Sequence, residues 1–304
     1  MAGFASRQFS RVQRLAFLLT RQPRYLLGRF AVVRDSYSMA NGVRDAVVGA
    51  SPLKVGDLYE EAAASIETAA SGLLLPVGSA AQQVEEMRTL SYSLGPHLVP
   101  HAVSELHEAA STLPLKNETN PTTGQAPTYK ELSTERALRE RNAFVTVRNS
   151  SAIGVVRALA GDTLLNDVAR HFLGYRPRQV SSWLFWSLAN RLSDDERRAA
   201  YQTIDFHYDV DGFNFMYANF YLVDTNRLNG AHVLMAGTAR GKRLSHLMGV
   251  ARLADAEAYE AYGRDRERIM EGPAGFGFLE DASCYHKALP PQAGDRLMLQ
   301  LRYQ

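Results

Sequence analysis

A chain of 304 residues, 46% hydrophobic and 22% charged, can bury a substantial core, which excludes disordered and fibrous classes. Its one cysteine, Cys284, excludes an intrachain disulfide and suits a reducing, cytoplasmic setting. The formal net charge of +2 is unevenly placed: residues 1–34 hold seven arginines (Arg7, Arg11, Arg14, Arg21, Arg24, Arg29, Arg34) and no acid, leaving about −5 on the remainder.

In chain order, residues 1–40 read as a basic amphipathic arm, with Phe4, Phe9, Val12, Leu15, Phe17, Leu18 and Leu19 interleaved among the arginines. Three roles stay open for it: a helix lying on an anionic membrane surface, an organellar targeting leader, or a helix docked by its apolar side on a catalytic domain. No apolar run reaches the roughly 20 residues that span a bilayer, so the expectation is a cytoplasmic protein, at most peripheral to a membrane. Residues 41–112 read as a helical region packed on a barrel. Leu58, Ala62, Ile66 and Ala69 recur every three to four residues, a second run passes through Val84 and Met87, and Pro96 and Pro100 interrupt the pattern. Residues 113–131 are polar and rich in turn formers, hence a loop, either a surface connection or a substrate lid. Helices are expected over about 133–142, with Ser133 as N-cap, and over 163–173; Gln179 to Ser187 then reads as a barrel strand.

The most informative residues lie near the end of the sequence. In Phe206-His207-Tyr208-Asp209, His207 and Asp209 are two apart, so on a strand both project from one face. His286, in Cys284-Tyr285-His286-Lys287, supplies a distant third side chain, and the set has the composition of a 2-His-1-carboxylate iron site. A closed structural zinc site would need a fourth protein ligand. Taken alone, a His-x-Asp pair is weak evidence, because most such pairs are surface polar residues. After His286, the Pro290-Pro291 and Gly294-Asp295 steps mark a turn into a final strand that alternates cleanly. Leu297, Leu299, Leu301 and Tyr303 take one face; Arg296, Met298, Gln300 and Arg302 take the other. An inward Arg296 is costly to bury unless it meets an anion, whereas on an edge strand it would simply be solvated. Cys284 shares the strand face of His286 and is either near the metal or a small buried filler.

The stretch from Gln202 to Tyr303, about a third of the chain, resembles the phytanoyl-CoA dioxygenase-like family of Fe(II)/2-oxoglutarate oxygenases. The matching pieces run from Gln202 to Asp209, from Phe220 through Asp224 and Gly230 to Val233, and from His286 to Arg296, in the family's order. The resemblance implies Fe(II) bound by His207, Asp209 and His286, with 2-oxoglutarate and O₂ as co-substrates and Arg296 on the far carboxylate of 2-oxoglutarate. Tyr217 stands where relatives often carry a lysine or glutamine that contacts the co-substrate; it either donates a phenolic hydrogen bond there or packs. Asn219, on the same strand, is the remaining candidate co-substrate contact. The segment Val233 to Gly241 lacks the family's usual Gly-Ser-His ending, a departure that bears on substrate contacts. The implied fold is a double-stranded β-helix, the jelly-roll barrel of cupin-like proteins, occupying residues 132–304 with helices packed on one sheet. Trp183, Trp186, Phe213, Phe215, Tyr217 and Tyr221 then supply barrel wall or core. The implied reaction is hydroxylation of a small-molecule or lipid-linked substrate with decarboxylation of 2-oxoglutarate to succinate. Halogenases on this scaffold replace the carboxylate ligand by a small residue, so Asp209 favours hydroxylation; desaturation, ring closure and epimerisation use the same ligands.

Two other classes carry weight: a non-redox or inactive cupin-like protein that binds a metal or ligand, and a membrane-peripheral scaffold acting through the arm. Nucleic-acid binding is not expected, because beyond the arm the chain is acidic and carries no recognition motif. The Gly237 to Arg243 segment is one residue short of a phosphate-binding loop. His107, His171, His232 and His246 read as surface or satisfied structural histidines.

Overall fold

The computed structural model describes residues 23–58, 63–117, 127–135, 139, 143–199 and 202–304. The readings of the arm that rest on residues 1–22 lie outside them. The described strands in chain order are β1 (Leu53–Asp57), β2 (Ala64–Ile66), β3 (Leu74–Leu75), β4 (Tyr92–Leu94), β5 (His97–Leu98), β6 (Leu115–Lys116), β7 (Phe144–Val147), β8 (Gln179–Ser187), β9 (Phe206–His207), β10 (Met216–Tyr221), β11 (His232–Met235), β12 (Arg252–Leu253), β13 (Glu267–Met270), β14 (Gly277–Glu280), β15 (His286–Ala288) and β16 (Arg296–Tyr303). Among them, nine form a large sheet with the path β2-β1-β8-β16-β10-β14-β4, to which β7 and β6 attach beside β8. Five form a smaller sheet, β12-β9-β15-β11-β13.

Alternation along the strands decides what lies on each face. On β16, Leu297, Leu299, Leu301 and Tyr303 join Leu184 and Trp186 of β8 and Met216, Ala218 and Phe220 of β10 in one core. Helices Ala80–Leu90, Pro100–Thr112, Gly154–Ala160 and Thr163–Leu173 cover that face, burying Met87, Leu106, Val156, Leu165 and Val168 against it. The opposite face of the large sheet meets the small one: Phe185, Tyr221, Phe278 and Met298 pack with Leu234 and Met270 between the sheets. The outer face of the small sheet, with Phe206, Val233, Met235 and Leu253, is closed by Ala258 of the helix Asp255–Tyr262. Two facing sheets with helices outside form the jelly-roll arrangement of a double-stranded β-helix.

Helix Thr163–Leu173 has both end signals, since Asp162 accepts the Leu164 N–H and Gly174 takes the left-handed conformation at φ +80°. Residues 53–57 and 64–66, in contrast, are strands rather than part of a helix. The helical spacing there loses to tertiary pairing: β1 runs parallel to β8, Val55 opposite Val180, and Leu53 and Val55 enter the core. The helix expected at 133 begins at Tyr129, because Thr128 and Glu131 form a reciprocal capping box; Ser133 lies inside it, donating to the Lys130 carbonyl. This helix and β6 (Leu115–Lys116) occupy the ends of the segment read as a loop.

The helix Ala31–Val48 docks on the barrel through buried Arg34 and Asn41, and Arg29 just before it is buried too. Among the described residues, no helix is long and apolar enough to cross a membrane. Because Leu299 is wholly buried in the helix-covered core, Leu299→Ala should lower unfolding free energy by about 2–5 kcal/mol, read from urea midpoints at unchanged m-value.

Candidate metal centre

His207 ends β9 and His286 begins β15, and the two strands pair with these residues directly opposite one another. Their rings lie 4.3 Å apart between centroids, inclined at 60°. Asp209 follows His207 by two residues and turns toward both. Its Oδ1 lies 3.9 Å from His207 Nε2 and its Oδ2 lies 3.8 Å from His286 Nε2. The three donor atoms all fall within 4.8 Å of one another, close enough for a single ion.

Each imidazole is fixed from behind. His207 Nδ1 lies 3.1 Å from the Asp205 carbonyl and His286 Nδ1 lies 3.1 Å from the Cys284 carbonyl. A carbonyl only accepts, so each Nδ1 carries the proton and each Nε2 presents a lone pair toward Asp209. Burial, with the neighbouring His286 imidazole, lowers the His207 pKa to about 4, so this ring is neutral at physiological pH, as a metal ligand must be. Tyr217 donates its hydroxyl to Asp209 Oδ2 at 2.8 Å, and the Asp209 N–H donates to the Ala282 carbonyl at 2.9 Å.

The triad opens on a cavity of about 700 Å³ between the sheets, which Arg296, Met298, Gln300 and Arg302 of β16 also line. Arg296 is 4% exposed. Its Nη1 donates to the Gly230 carbonyl at 2.5 Å and its Nη2 to Ser187 Oγ at 3.1 Å, while Nε has no partner. Among the described residues no carboxylate pairs with it, so a buried cation faces the cavity uncompensated. Arg302, six residues along β16, is ion-paired with Asp211. Trp183, Phe144 and Phe185 form an aromatic wall, with ring centroids 4.8–5.5 Å apart.

Asn219 is fully buried, donating to Glu280 Oε2 at 3.2 Å and accepting from Gln300 at 2.9 Å; it is not part of the cavity lining. Cys284 is buried in the core between the sheets, where burial and the adjacent Glu280 carboxylate push its thiol well above the usual range. The protonated thiol donates to Glu280 Oε1 at 3.6 Å.

Glu280 and His232 are the participants that the sequence did not reveal. Glu280 of β14 is wholly buried, 3.1 Å from His232 Nε2 and 3.6 Å from His286 Nδ1. Burial raises its pKa, but the His232 and His286 imidazoles more than offset this and bring it to about 2. Of the two readings of His232 the structure supports the satisfied structural one: it is buried and paired with Glu280, and it also lines the cavity and stacks on His286 with centroids 5.3 Å apart.

No family model matches the chain, and no curated protein matches it. Solved structures do resemble it. The apoform of EctD from S. alaskensis is 16% identical, covering 83% of each chain at a TM-score of 0.49. The non-heme alpha-ketoglutarate-dependent epimerase SnoN from nogalamycin biosynthesis is 13% identical, covering 74% of this chain and 82% of its own at 0.48. EvdO2 from Micromonospora carbonacea var. aurantiaca, complexed with 2-oxoglutarate, is 13% identical, covering 76% and 91% at 0.47. Similarity at this level leaves the chemistry to be read from the site itself.

Two outcomes are expected from this geometry. An exposed imidazole takes a proton near pH 6.5, whereas folded His207 resists until about pH 4, so below 6.5 the unfolded chain binds the extra proton first. Metal-free protein should therefore lose stability as pH falls from about 6.5 toward 4, and His207→Gln should remove that part of the slope in denaturation midpoints. Tyr217→Phe, which frees one oxygen of Asp209, should weaken divalent-metal binding roughly tenfold by anaerobic titration.

Proposed function

We propose that the chain is an Fe(II)- and 2-oxoglutarate-dependent dioxygenase of the phytanoyl-CoA dioxygenase-like kind, hydroxylating a small-molecule or lipid-linked substrate. One observation carries this reading: a three-donor metal face and a buried guanidinium without a carboxylate of its own share one cavity. His207 Nε2, His286 Nε2 and an oxygen of Asp209 would hold the metal from the protein side, leaving the cavity side to other ligands. Two imidazoles and a hard carboxylate suit ferrous iron, and the absence of a fourth converging protein donor among the described residues fits an open site better than a structural one.

Arg296 would hold the far carboxylate of 2-oxoglutarate. Gly230 and Ser187 fix its fork in place beforehand, so little ordering remains when an anion arrives. When bound, iron and 2-oxoglutarate supply, with O₂, a two-electron oxidation of the substrate coupled to release of CO₂ and succinate. The chain's own residues do the positioning. Tyr217 and the Ala282 carbonyl set Asp209, the two backbone carbonyls set the imidazoles, and the aromatic wall of Phe144, Trp183 and Phe185 offers an apolar surface to the substrate while limiting water.

The test is anaerobic addition of Fe(II) and then 2-oxoglutarate to metal-free protein, followed by visible spectroscopy of the chelate. A charge-transfer band is expected in wild type and should be lost in Asp209→Ala. Arg296→Ala should raise the half-saturating 2-oxoglutarate concentration about 10- to 100-fold, the equivalent of one or two charge-assisted hydrogen bonds. Iron binding with no band in wild type would remove 2-oxoglutarate from the reading; absence of iron binding would overturn the metal centre itself.

A further inference from the structure

Two of the three metal-ligand residues are set by one short turn. Between β14 and β15, Asp281 to Cys284 close a turn in which the Cys284 N–H donates to the Asp281 carbonyl at 2.8 Å and the Ser283 N–H donates to Asp281 Oδ1 at 3.2 Å. The two carbonyls that follow Asp281 and Ser283 in this turn have separate tasks. That of Ala282 receives the Asp209 N–H at 2.9 Å, and that of Cys284 faces His286 Nδ1 at 3.1 Å. A displacement of the turn would therefore move the backbone of one ligand and the ring of another together.

The turn is held from outside the barrel by the helix Ala31–Val48. Arg34 reaches in from it, 4% exposed, to Asp281 and Ser283, which are 2% and 3% exposed. Its Nη1 lies 3.1 Å from Asp281 Oδ1 and 2.5 Å from Ser283 Oγ, and its Nη2 donates to the Ala239 carbonyl at 3.1 Å. The far end of the same helix is anchored separately, where Arg178 donates to Asn41 Oδ1 and Asp45 Oδ1 at 2.8 and 3.0 Å, away from the turn. The helix thus touches the ligand-bearing turn through Arg34, while its other attachments, Asp35 with Arg240 and Ser38 with Asn214 among them, do not touch that turn.

We infer that Arg34 is a positioning residue of the metal centre: by clamping the Asp281–Cys284 turn, it holds the carbonyls that set Asp209 and His286. A segment more than two hundred residues upstream of Asp281 is on this view part of the metal site and not merely a covering element. The inference rests on the metal centre described above but needs neither 2-oxoglutarate nor a substrate.

Full-length protein is compared in four forms by anaerobic titration with Co(II) alone, reading the ligand-field band and the dissociation constant, with metal-free melting temperatures alongside. Arg34→Met leaves a buried carboxylate unpaired and should be both less stable and weaker in metal binding. Adding Asp281→Asn removes that charge while keeping an oxygen for the Ser283 N–H, so the double variant should regain most of the melting temperature. Its Co(II) dissociation constant should nevertheless stay about tenfold or more above wild type, with an altered band. Asp45→Ala, which loosens the other end of the helix, should leave Co(II) binding unchanged. Wild-type affinity in the folded double variant, or equal weakening in Asp45→Ala, would overturn the positioning role. Failure of wild type to bind Co(II) would instead overturn the metal centre on which it rests.

Discussion

Everything at this site depends on two backbone carbonyls accepting from the Nδ1 atoms of His207 and His286. An imidazole has two chemically similar nitrogens, and without a partner at one of them neither tautomer nor ring angle is defined. Here the proton is held on the side away from the cavity, and the strand pairing that places His207 opposite His286 brings both free nitrogens to one carboxylate. The cost is a neutral, buried imidazole beside another, which is why His207 resists protonation. Local hydrogen bonding and sheet register thus act on the same few atoms.

Around that centre strand alternation decides which side chains of the large sheet face the helices and which face the small sheet. Each central strand of the large sheet sends apolar residues outward under helices, Trp186, Phe220 and Tyr303 among them, while its inward face carries polar groups together with Phe185, Tyr221 and Met298. The inward layer is extensively paired. Glu280 ties together His232, Cys284 and Asn219, and Gln300 closes onto Asn219. Such a network is tolerable in a low-dielectric interior only because most of its members have partners, and it buttresses His286 from behind. Arg296 is the contrast, a cation in the same layer with only neutral acceptors.

How far the sequence spoke depended on whether the relevant contact is local. His207 and Asp209 were legible from their two-residue spacing, although β9 ends at His207 and Asp209 lies just past it; the division of β16 was legible because two residues is the period of a strand face. Helix Thr163–Leu173 could be read because its caps are adjacent in sequence. Glu280 and His232 could not, because their importance arises from packing between separate strands, and an isolated Glu or His carries no mark of that. The same holds for Arg34, which looked like one more arginine of a basic arm yet reaches Asp281, 247 residues away. The stretch at β1 and β2 misled for the converse reason: its spacing is helical, but parallel pairing with β8 outweighs so weak a local preference. Tyr217 was legible as a residue of this site, although its hydroxyl donates to the carboxylate of Asp209.

A face whose donors are already aimed has little freedom to choose among cations. Two imidazoles and a carboxylate bind the later divalent metals of the first transition row, nickel and copper above all, more tightly than they bind ferrous iron. The rigidity given to His207, His286 and Asp209 by the carbonyls and Tyr217 raises affinity for each of these competitors along with iron. Which ion such a pocket carries is then settled by the relative supply of free metals where the chain folds, a property of the surroundings that the barrel itself does not encode.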